Sequence, residues 1–184
     1  LLERIGVLFQ NGALLGSLTT AENVALPLQM HTDLPARLVS EIVQHKLAQV
    51  GLPHAGPLYP GELSGGMRKR AALARALVLE PPLVFCDEPS AGLDPVTSAG
   101  LDELLLSLRE TLAITLVVVT HELSSIETIA DNVVFLHDGR LLFQGPYAGA
   151  KALREGPMYD FFMRRSSAAD ASASGKTSTT GVSQ

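Results

Sequence analysis

Two adjacent carboxylates follow an apolar run near the middle of the chain. Residues 83–86 have the length and composition of a buried strand, and Asp87 and Glu88 come directly after them. Parallel sheets present ligands at the carboxyl ends of their strands. The pair therefore predicts metal–nucleotide chemistry, in which Asp87 holds Mg²⁺ through water and Glu88 orients or deprotonates the water that attacks a γ-phosphate. The alternative is a strand that simply ends at the surface.

A serine and two glycines precede a long helical segment. Ser64 is placed to cap a helix that runs to about Leu79, and the Ala-rich composition favours that helix. Gly65 and Gly66 keep its N-terminus accessible, where backbone N–H groups point at any approaching anion. The alternative is an ordinary serine cap with a glycine-rich turn.

The segment LSGGMRKRAALARAL, residues 63–77, resembles the signature motif of ATP-binding-cassette (ABC) ATPases. Four further motifs occur in that family's order, and the resemblance covers about residues 5–160. They are the Q-loop glutamine at Gln10, the Walker B pair at Asp87 and Glu88, the D-loop at residues 90–94, and the H-loop at Thr120 and His121. Five motifs in the correct order make the resemblance specific.

The resemblance implies catalytic roles for three residues and ATP and Mg²⁺ as cofactors. Gln10 would sense Mg²⁺ and the attacking water, so it joins Asp87 at the metal. His121 would contact the γ-phosphate and act with Glu88 and Gln10 in catalysis.

The same resemblance implies a second set of residues that bind the cofactor across a dimer. Ser64, Gly65 and Gly66 would contact the ATP held by the other subunit, and Asp94 of the D-loop belongs to the same cofactor-binding set. The catalytic unit would therefore be a homodimer, in which ATP holds the closed state together.

The phosphate-binding motif GxxxxGK[ST] is expected before Gln10, together with an aromatic residue that stacks on adenine. Because neither occurs in residues 1–9, we expect an N-terminally truncated chain that is inactive alone and belongs to a longer ATPase. The tail contains Gly175-Lys176-Thr177-Ser178, but position 170 is aspartate and no strand precedes it, so this is not the phosphate loop.

Residues 9–15, residues 22–28 and Met67 resemble the Mla-type ATPase, which works with MCE-domain lipid-binding proteins. That resemblance implies an integral membrane permease as partner, with an MCE-domain protein as a further one, and a cytoplasmic position on the inner membrane face. The implied activity is ATP-driven transport of phospholipid or another hydrophobic substrate. Leu14, Leu15 and Leu18 would either receive a coupling helix of the permease or form a staple within the helical subdomain.

The elements that position these residues predict an α/β fold, the C-terminal part of a P-loop NTPase-like ABC nucleotide-binding domain. This partial domain spans residues 1–165, with an α-helical signature subdomain at about 20–80 and a disordered tail at 166–184. Strands are predicted at residues 5–10, 83–86 and 115–119, the last two buried on both faces, with a hairpin around Asp138-Gly139. Helices are predicted at 21–29 with an interruption at Pro27, at 36–50 with Leu38, Ile42, Val43, Leu47 and Val50 on one face, at 64–79 and at 96–112.

Composition excludes several classes of protein. The chain has 184 residues, 46% of them hydrophobic, with a net charge of -5 and a single cysteine. The charge argues against a nucleic-acid partner, and the basic run at 68–70 does not change that. A DNA-repair-type ABC ATPase is a weaker alternative, because the interval between Gln10 and Ser64 has neither heptads nor cysteine pairs. A regulatory or structural protein without the phosphate loop also stays open, although Glu88 and His121 speak against it.

Overall fold

The computed structural model describes residues 4–164. The chain divides into two compact units, Leu1–Ile129 and Ala130–Gln184. The predicted disordered tail, residues 166–184, lies outside the described residues. In the part of the chain that is described, no helix is both long enough and apolar enough to cross a bilayer.

The first unit combines a parallel sheet with helices, which confirms the predicted α/β fold. Its strands pair in the order β1-β2-β3, with Leu8 beside Cys86 and Asp87 beside Val119. The elements are β1 (Ile5–Leu8), α1 (Thr20–His31), α2 (Ala36–Gln49), a 3₁₀ turn (Pro60–Glu62), α3 (Gly65–Leu77), β2 (Leu83–Asp87), α4 (Pro95–Leu112), β3 (Thr115–Val119) and α5 (Leu123–Ile129).

Helix α1 continues through Pro27, so the predicted interruption there is wrong. A proline in a helix interior costs about 3 kcal/mol. Two features offset this cost. Thr19 and Glu22 form a capping box at the start of the helix, and Val24 and Leu28 are buried in the core.

Helix α2 buries most of the predicted face, including Val50, but not its first residue. Val39, Val43 and Leu47 are buried, whereas Leu38 is exposed. The prediction for Leu38 is therefore wrong by one position. In the first turn of α2, Val39 takes the buried position in place of Leu38, because the packing of α2 against α1 and α3 decides which of two adjacent apolar residues is covered.

The sheet is covered on one face only within the described residues, so the prediction of strands buried on both faces is wrong. Leu8 and Val84 are fully buried in the core that includes helix α3, whereas Phe85 is 38% and Val119 59% exposed. The exposed side chains alternate with the buried ones because successive side chains of a strand point to opposite faces.

Strand β1 and helix α3 pack at backbone distance. A Cβ added at Gly6 would clash with the backbone oxygen of Ala76, so only glycine fits there. Gln10 lies two residues beyond β1 and Ser64 lies one residue before α3. This contact therefore fixes the base of the Q-loop relative to the signature helix.

The second unit contains the predicted hairpin. Strands β4 (Asn132–His137) and β5 (Arg140–Pro146) pair antiparallel, and Asp138 and Gly139 have φ values of 49° and 70°. These positive values are those of a type I′ turn. Helices α6 (Tyr147–Ala152) and α7 (Pro157–Phe162) complete the described part of this unit.

Candidate functional site

Glu88 leaves strand β2 through a left-handed turn. Its φ is 44°, and its N–H donates to the carbonyl of Val119 over 2.8 Å. Positive φ is uncommon for a residue with a side chain and is characteristic of functional turns. This turn directs the chain across the end of β3, where Thr120 and His121 follow.

The Glu88 carboxylate is held at both oxygens. Its Oε1 lies 2.6 Å from Nδ1 of His121, and its Oε2 accepts from the Thr120 hydroxyl over 3.3 Å. The Glu88 side chain is 17% exposed and that of His121 70% exposed. The hydrogen bond to Glu88 and the charge of that carboxylate raise the pKa of His121. The Glu88 carboxylate therefore lies beside a histidine that holds its proton more tightly than a free imidazole does.

Lys69 of helix α3 contacts the main chain of Glu88. Its side chain is buried, and its Nζ donates to the backbone carbonyl of Glu88 over 2.9 Å and to that of Gln10. Burial lowers the pKa of Lys69, and the negative charges of Glu88 and Asp87 oppose that shift. We call Lys69, Glu88, Thr120 and His121 the strand-end cluster.

The two predicted metal-binding residues, Gln10 and Asp87, both lie at strand ends and are exposed. Within residues 4–164, no three His, Cys, Asp or Glu side chains converge in a way that would hold a metal. Mg²⁺ normally keeps several water ligands and takes one or two protein oxygens together with substrate phosphates. Asp87 and Gln10 fit that kind of site.

The predicted cofactor-binding residues of the signature form a second group, which we call the signature turn, Ser64–Gly66. Ser64 caps helix α3 by accepting from the N–H of Met67 over 3.3 Å. A Cβ at Gly65 would lie 3.3 Å from Leu93, and one at Gly66 would lie 2.5 Å from Cγ2 of Thr97. Close packing against the D-loop and α4 is thus a reason for these glycines that the sequence did not reveal.

Asp94 caps helix α4. Its Oδ1 accepts from the N–H groups of Val96 and Thr97, both at 3.1 Å, and its Oδ2 accepts from the Thr97 hydroxyl over 2.5 Å. The hydrogen bonds from Thr97 lower the pKa of Asp94. The carboxylate is exposed, and it fixes the residue that packs against Gly66.

A buried polar chain links the segments that follow Glu88 and His121. The hydroxyls of Ser90 and Ser125 lie 3.3 Å apart, and Ser125 donates to Oδ2 of Asp102 over 2.7 Å. All three side chains are buried, and burial raises the pKa of Asp102. We call these residues the buried triad.

Sequence reasoning missed Lys69 and the buried triad, although the helical period carried a signal. Lys69 lies four and eight residues before the buried Leu73 and Leu77, on the same stripe of α3. Asp102 lies three residues before the buried Leu105 of α4. A charged residue on an apolar stripe indicates a specific buried partner.

Comparison with known proteins defines the class to which this fold and site belong. The family model described as ABC transporter matches residues 1–91. The dimeric ATP-binding cassette MJ0796 in a post-hydrolysis state, bound to ADP and Pi, matches with a TM-score of 0.70 and 32% identity, over 78% of this chain and 62% of that one. The cassette cbiO1 of Clostridium perfringens, part of the transporter complex cbiONQ, matches with a TM-score of 0.74 and 31% identity, over 82% and 60%. The chain belongs to the ABC transporter ATPase family, as its five motifs predicted.

Two curated relatives lie within the same family. The intermembrane phospholipid transport system ATP-binding protein MlaF of Escherichia coli strain K12 is 45% identical over 155 residues, 84% of this chain and 56% of the relative. The probable ribonucleotide transport ATP-binding protein mkl of Mycobacterium tuberculosis strain H37Rv is 47% identical over 141 residues, 77% of this chain and 39% of the relative. The chain thus spans about half the length of the curated relatives it matches.

Proposed function

We propose that the protein carrying this sequence is the ATP-hydrolysing subunit of an ABC transporter that moves phospholipid or a similar hydrophobic substrate across the cell envelope. The observation that carries the proposal is the Glu88 carboxylate, held by His121 at 2.6 Å at the end of β2 beside Asp87. Membership of the ABC transporter ATPase family supports it.

Phosphoryl transfer depends mainly on positioning and charge neutralisation. Glu88 is the group that orients the attacking water and accepts its proton, because Thr120 and His121 hold its two oxygens in fixed positions. His121, with its raised pKa, can carry a proton on each ring nitrogen, so that Nδ1–H bonds Glu88 while Nε2–H is available to donate toward the developing charge of the γ-phosphate. Asp87 and Gln10 would hold the Mg²⁺ that accompanies ATP, the substrate from which the phosphoryl group is transferred.

We infer that two copies complete the site. The first-turn amides of α3 have no carbonyl partner within the helix, so they are suited to an anion that arrives from outside. Gly65 and Gly66 are partly exposed, and the cassette MJ0796, a structural relative, is described as dimeric. Ser64, Gly65, Gly66 and Asp94 are therefore proposed to contact ATP held by the second copy.

The partner in the membrane is proposed to be an integral permease, with an MCE-domain protein beyond it, which places this subunit on the cytoplasmic face of the inner membrane. The segment after the Q-loop supports such a docking role. Asn23 is fully buried, and its amide oxygen accepts from Leu15 over 2.7 Å while its nitrogen donates to the carbonyls of Leu15, Leu18 and Thr19. This fixes the loop backbone, while the side chain of Leu15 stays half-exposed.

ATP hydrolysis is tested in the natural full-length polypeptide assembled with its membrane partner. Glu88→Gln keeps the size of the side chain and removes the base, so we expect kcat to fall at least about a hundredfold, as when one transition-state group is removed. Glu103→Gln, at an exposed position of α4, is the matched control and should keep its turnover. Normal ATP turnover by Glu88→Gln would refute the proposed role of Glu88 in ATP hydrolysis.

The substrate is tested separately, because one relative is named for phospholipid transport and another for ribonucleotide transport. Reconstituted complexes are given fluorescent phospholipid in one vesicle population and labelled ribonucleotide in another. We expect ATP-dependent movement of the phospholipid and none in Glu88→Gln. ATP-dependent ribonucleotide uptake without lipid movement would favour the second candidate.

A further inference from the structure

Lys69 joins three motifs that are far apart in the sequence. It lies on helix α3, five residues after Ser64, and its Nζ donates to the main-chain carbonyls of Gln10 and Glu88. Gln10 follows β1 and Glu88 follows β2. A single side chain from the signature helix thus bridges the Q-loop and the turn that carries the proposed general base.

The Lys69 ammonium group is buried, so its two hydrogen bonds are required and not incidental. The side chain of Lys69 is 6% exposed, and burial of a cation is costly unless it is hydrogen-bonded or paired. Its two bonds are charge-assisted, which makes them stronger than bonds between neutral groups. Because the acceptors belong to the main chain, the bonds fix the paths of two loops and leave both side chains available for chemistry.

A second buried lysine shows what an ordinary structural role looks like here. Lys46 of α2 is 2% exposed, and its Nζ pairs with the carboxylate of Glu80 over 3.0 Å. That pair neutralises the charge and joins α2 to the segment after α3. Lys69 instead donates to the main-chain carbonyls of Gln10 and Glu88, two residues that are proposed to act on the same water.

We propose that Lys69 is a positioning residue that sets the separation between Gln10 and Glu88 and ties both to the signature helix. The inference rests on the proposed function. It adds that the Mg²⁺-sensing amide and the general base are aligned by a side chain that contacts neither nucleotide nor metal. A displacement of α3 therefore moves both groups together.

The test compares matched variants of the full-length protein in its assembled complex. Lys69→Met keeps the length of the side chain and removes both bonds, and Lys69→Arg keeps the charge and the donors. Lys46→Met removes the other buried lysine and serves as the control for folding. The measurements are kcat, the Kd for ATP, the Mg²⁺ concentration at half-maximal turnover, and Tm.

We expect Lys69→Met to lower kcat about tenfold or more and to raise the Mg²⁺ requirement, because small displacements of reacting groups have effects of this order. Its Kd for ATP should stay within about twofold, since Lys69 does not contact the nucleotide in this account. Lys69→Arg should recover most of the lost kcat. Lys46→Met should lower Tm without these kinetic changes.

Lys69→Met with unchanged kcat and Mg²⁺ dependence, and a lowered Tm like that of Lys46→Met, would reduce Lys69 to a structural role and overturn the inference. If Lys69→Met does not fold, Lys69→Gln, which removes the charge and is shorter but keeps a polar amide, is measured in its place against Lys69→Arg. Full turnover by Glu88→Gln would overturn the proposed function and this inference with it. Loss of turnover in Glu88→Gln together with unchanged kcat in Lys69→Met would overturn the inference alone.

Discussion

The strand-end cluster and the signature turn differ in how their residues are held in place. In the strand-end cluster, the Glu88 carboxylate bonds to the side chains of His121 and Thr120 over 2.6 and 3.3 Å, so the chain itself orients this carboxylate. In the signature turn, Ser64 satisfies one amide and two glycines remove side chains altogether. The comparison teaches that the Glu88 carboxylate is positioned by bonds to neighbouring side chains, whereas the signature turn is positioned by close packing of its main chain against the D-loop and α4.

Among the substitutions that test this comparison, Gly66→Ala is expected to have the largest effect on stability. Gly66→Ala places a methyl group 2.5 Å from Cγ2 of Thr97, so we expect the free energy of unfolding to fall by about 1–3 kcal/mol, measured by urea denaturation. Gly61→Ala is the control, because a Cβ there meets nothing within 4 Å and stability should hardly change.

The double variant Gly66→Ala, Thr97→Ser separates packing from ligand contact. Serine removes the clashing methyl group of Thr97 and keeps the hydroxyl that Asp94 accepts. We expect stability to recover while ATP turnover stays low. Recovery of both would mean that Gly66 serves packing alone, and the signature turn would then lose its distinction from the core.

A smaller effect is expected behind the strand-end cluster, at Asp102 of the buried triad. Burial raises the folded-state pKa of Asp102 above its ordinary 3.8, so the folded protein binds a proton there more tightly than the unfolded chain does. Stability from this group is therefore lost as the pH rises above 3.8 through the raised pKa.

Asp102→Asn removes this titration and keeps an oxygen that accepts from Ser125. We expect the Tm of the variant to gain on that of the natural protein as the pH rises from about 4 to about 8. A Tm difference that is constant with pH would show that the pKa of Asp102 is not raised in the folded protein.

The smallest effect is a shift in one titration. The Glu88 carboxylate raises the pKa of His121 above 6.5, so the stability that this pairing contributes is fully present below 6.5 and is lost as the pH rises through the raised pKa. In NMR titrations of the imidazole ring, Glu88→Gln should lower the midpoint of His121. Glu122→Gln should lower it less, because that carboxylate lies 3.9 Å from Nε2. Equal shifts would mean that His121 senses general charge and not a specific partner.

Elements that depend on local patterns were predictable from the sequence. The Ser64 cap and helix α3, the hairpin at Asp138-Gly139 and the three parallel strands all follow from capping, turn chemistry and apolar runs. The motif order also placed Glu88 and His121 at strand ends. Their direct bond was not predicted, because it depends on the left-handed turn at Glu88 and on the register between β2 and β3.

Features set by tertiary packing could not be predicted in the same way. Pro27 lies inside a helix because burial and a capping box outweigh its local cost, and Leu38 is exposed because packing against the neighbouring helices buries Val39 instead. The contact of Lys69 with two distant carbonyls needs the approach of α3 to β1, which no local pattern encodes. The roles of Ser64, Gly66 and Asp94 toward ATP stay predictions.

Helix α3 is a rod about 20 Å long that is clamped at both ends. Near its start, Gly66 meets Thr97, and near its end, Ala76 meets Gly6. At neither contact is there room for even a methyl group. A displacement of the Ser64 end would therefore be transmitted along α3 to strand β1. The close contacts that transmit it depend on glycine at positions 6 and 66.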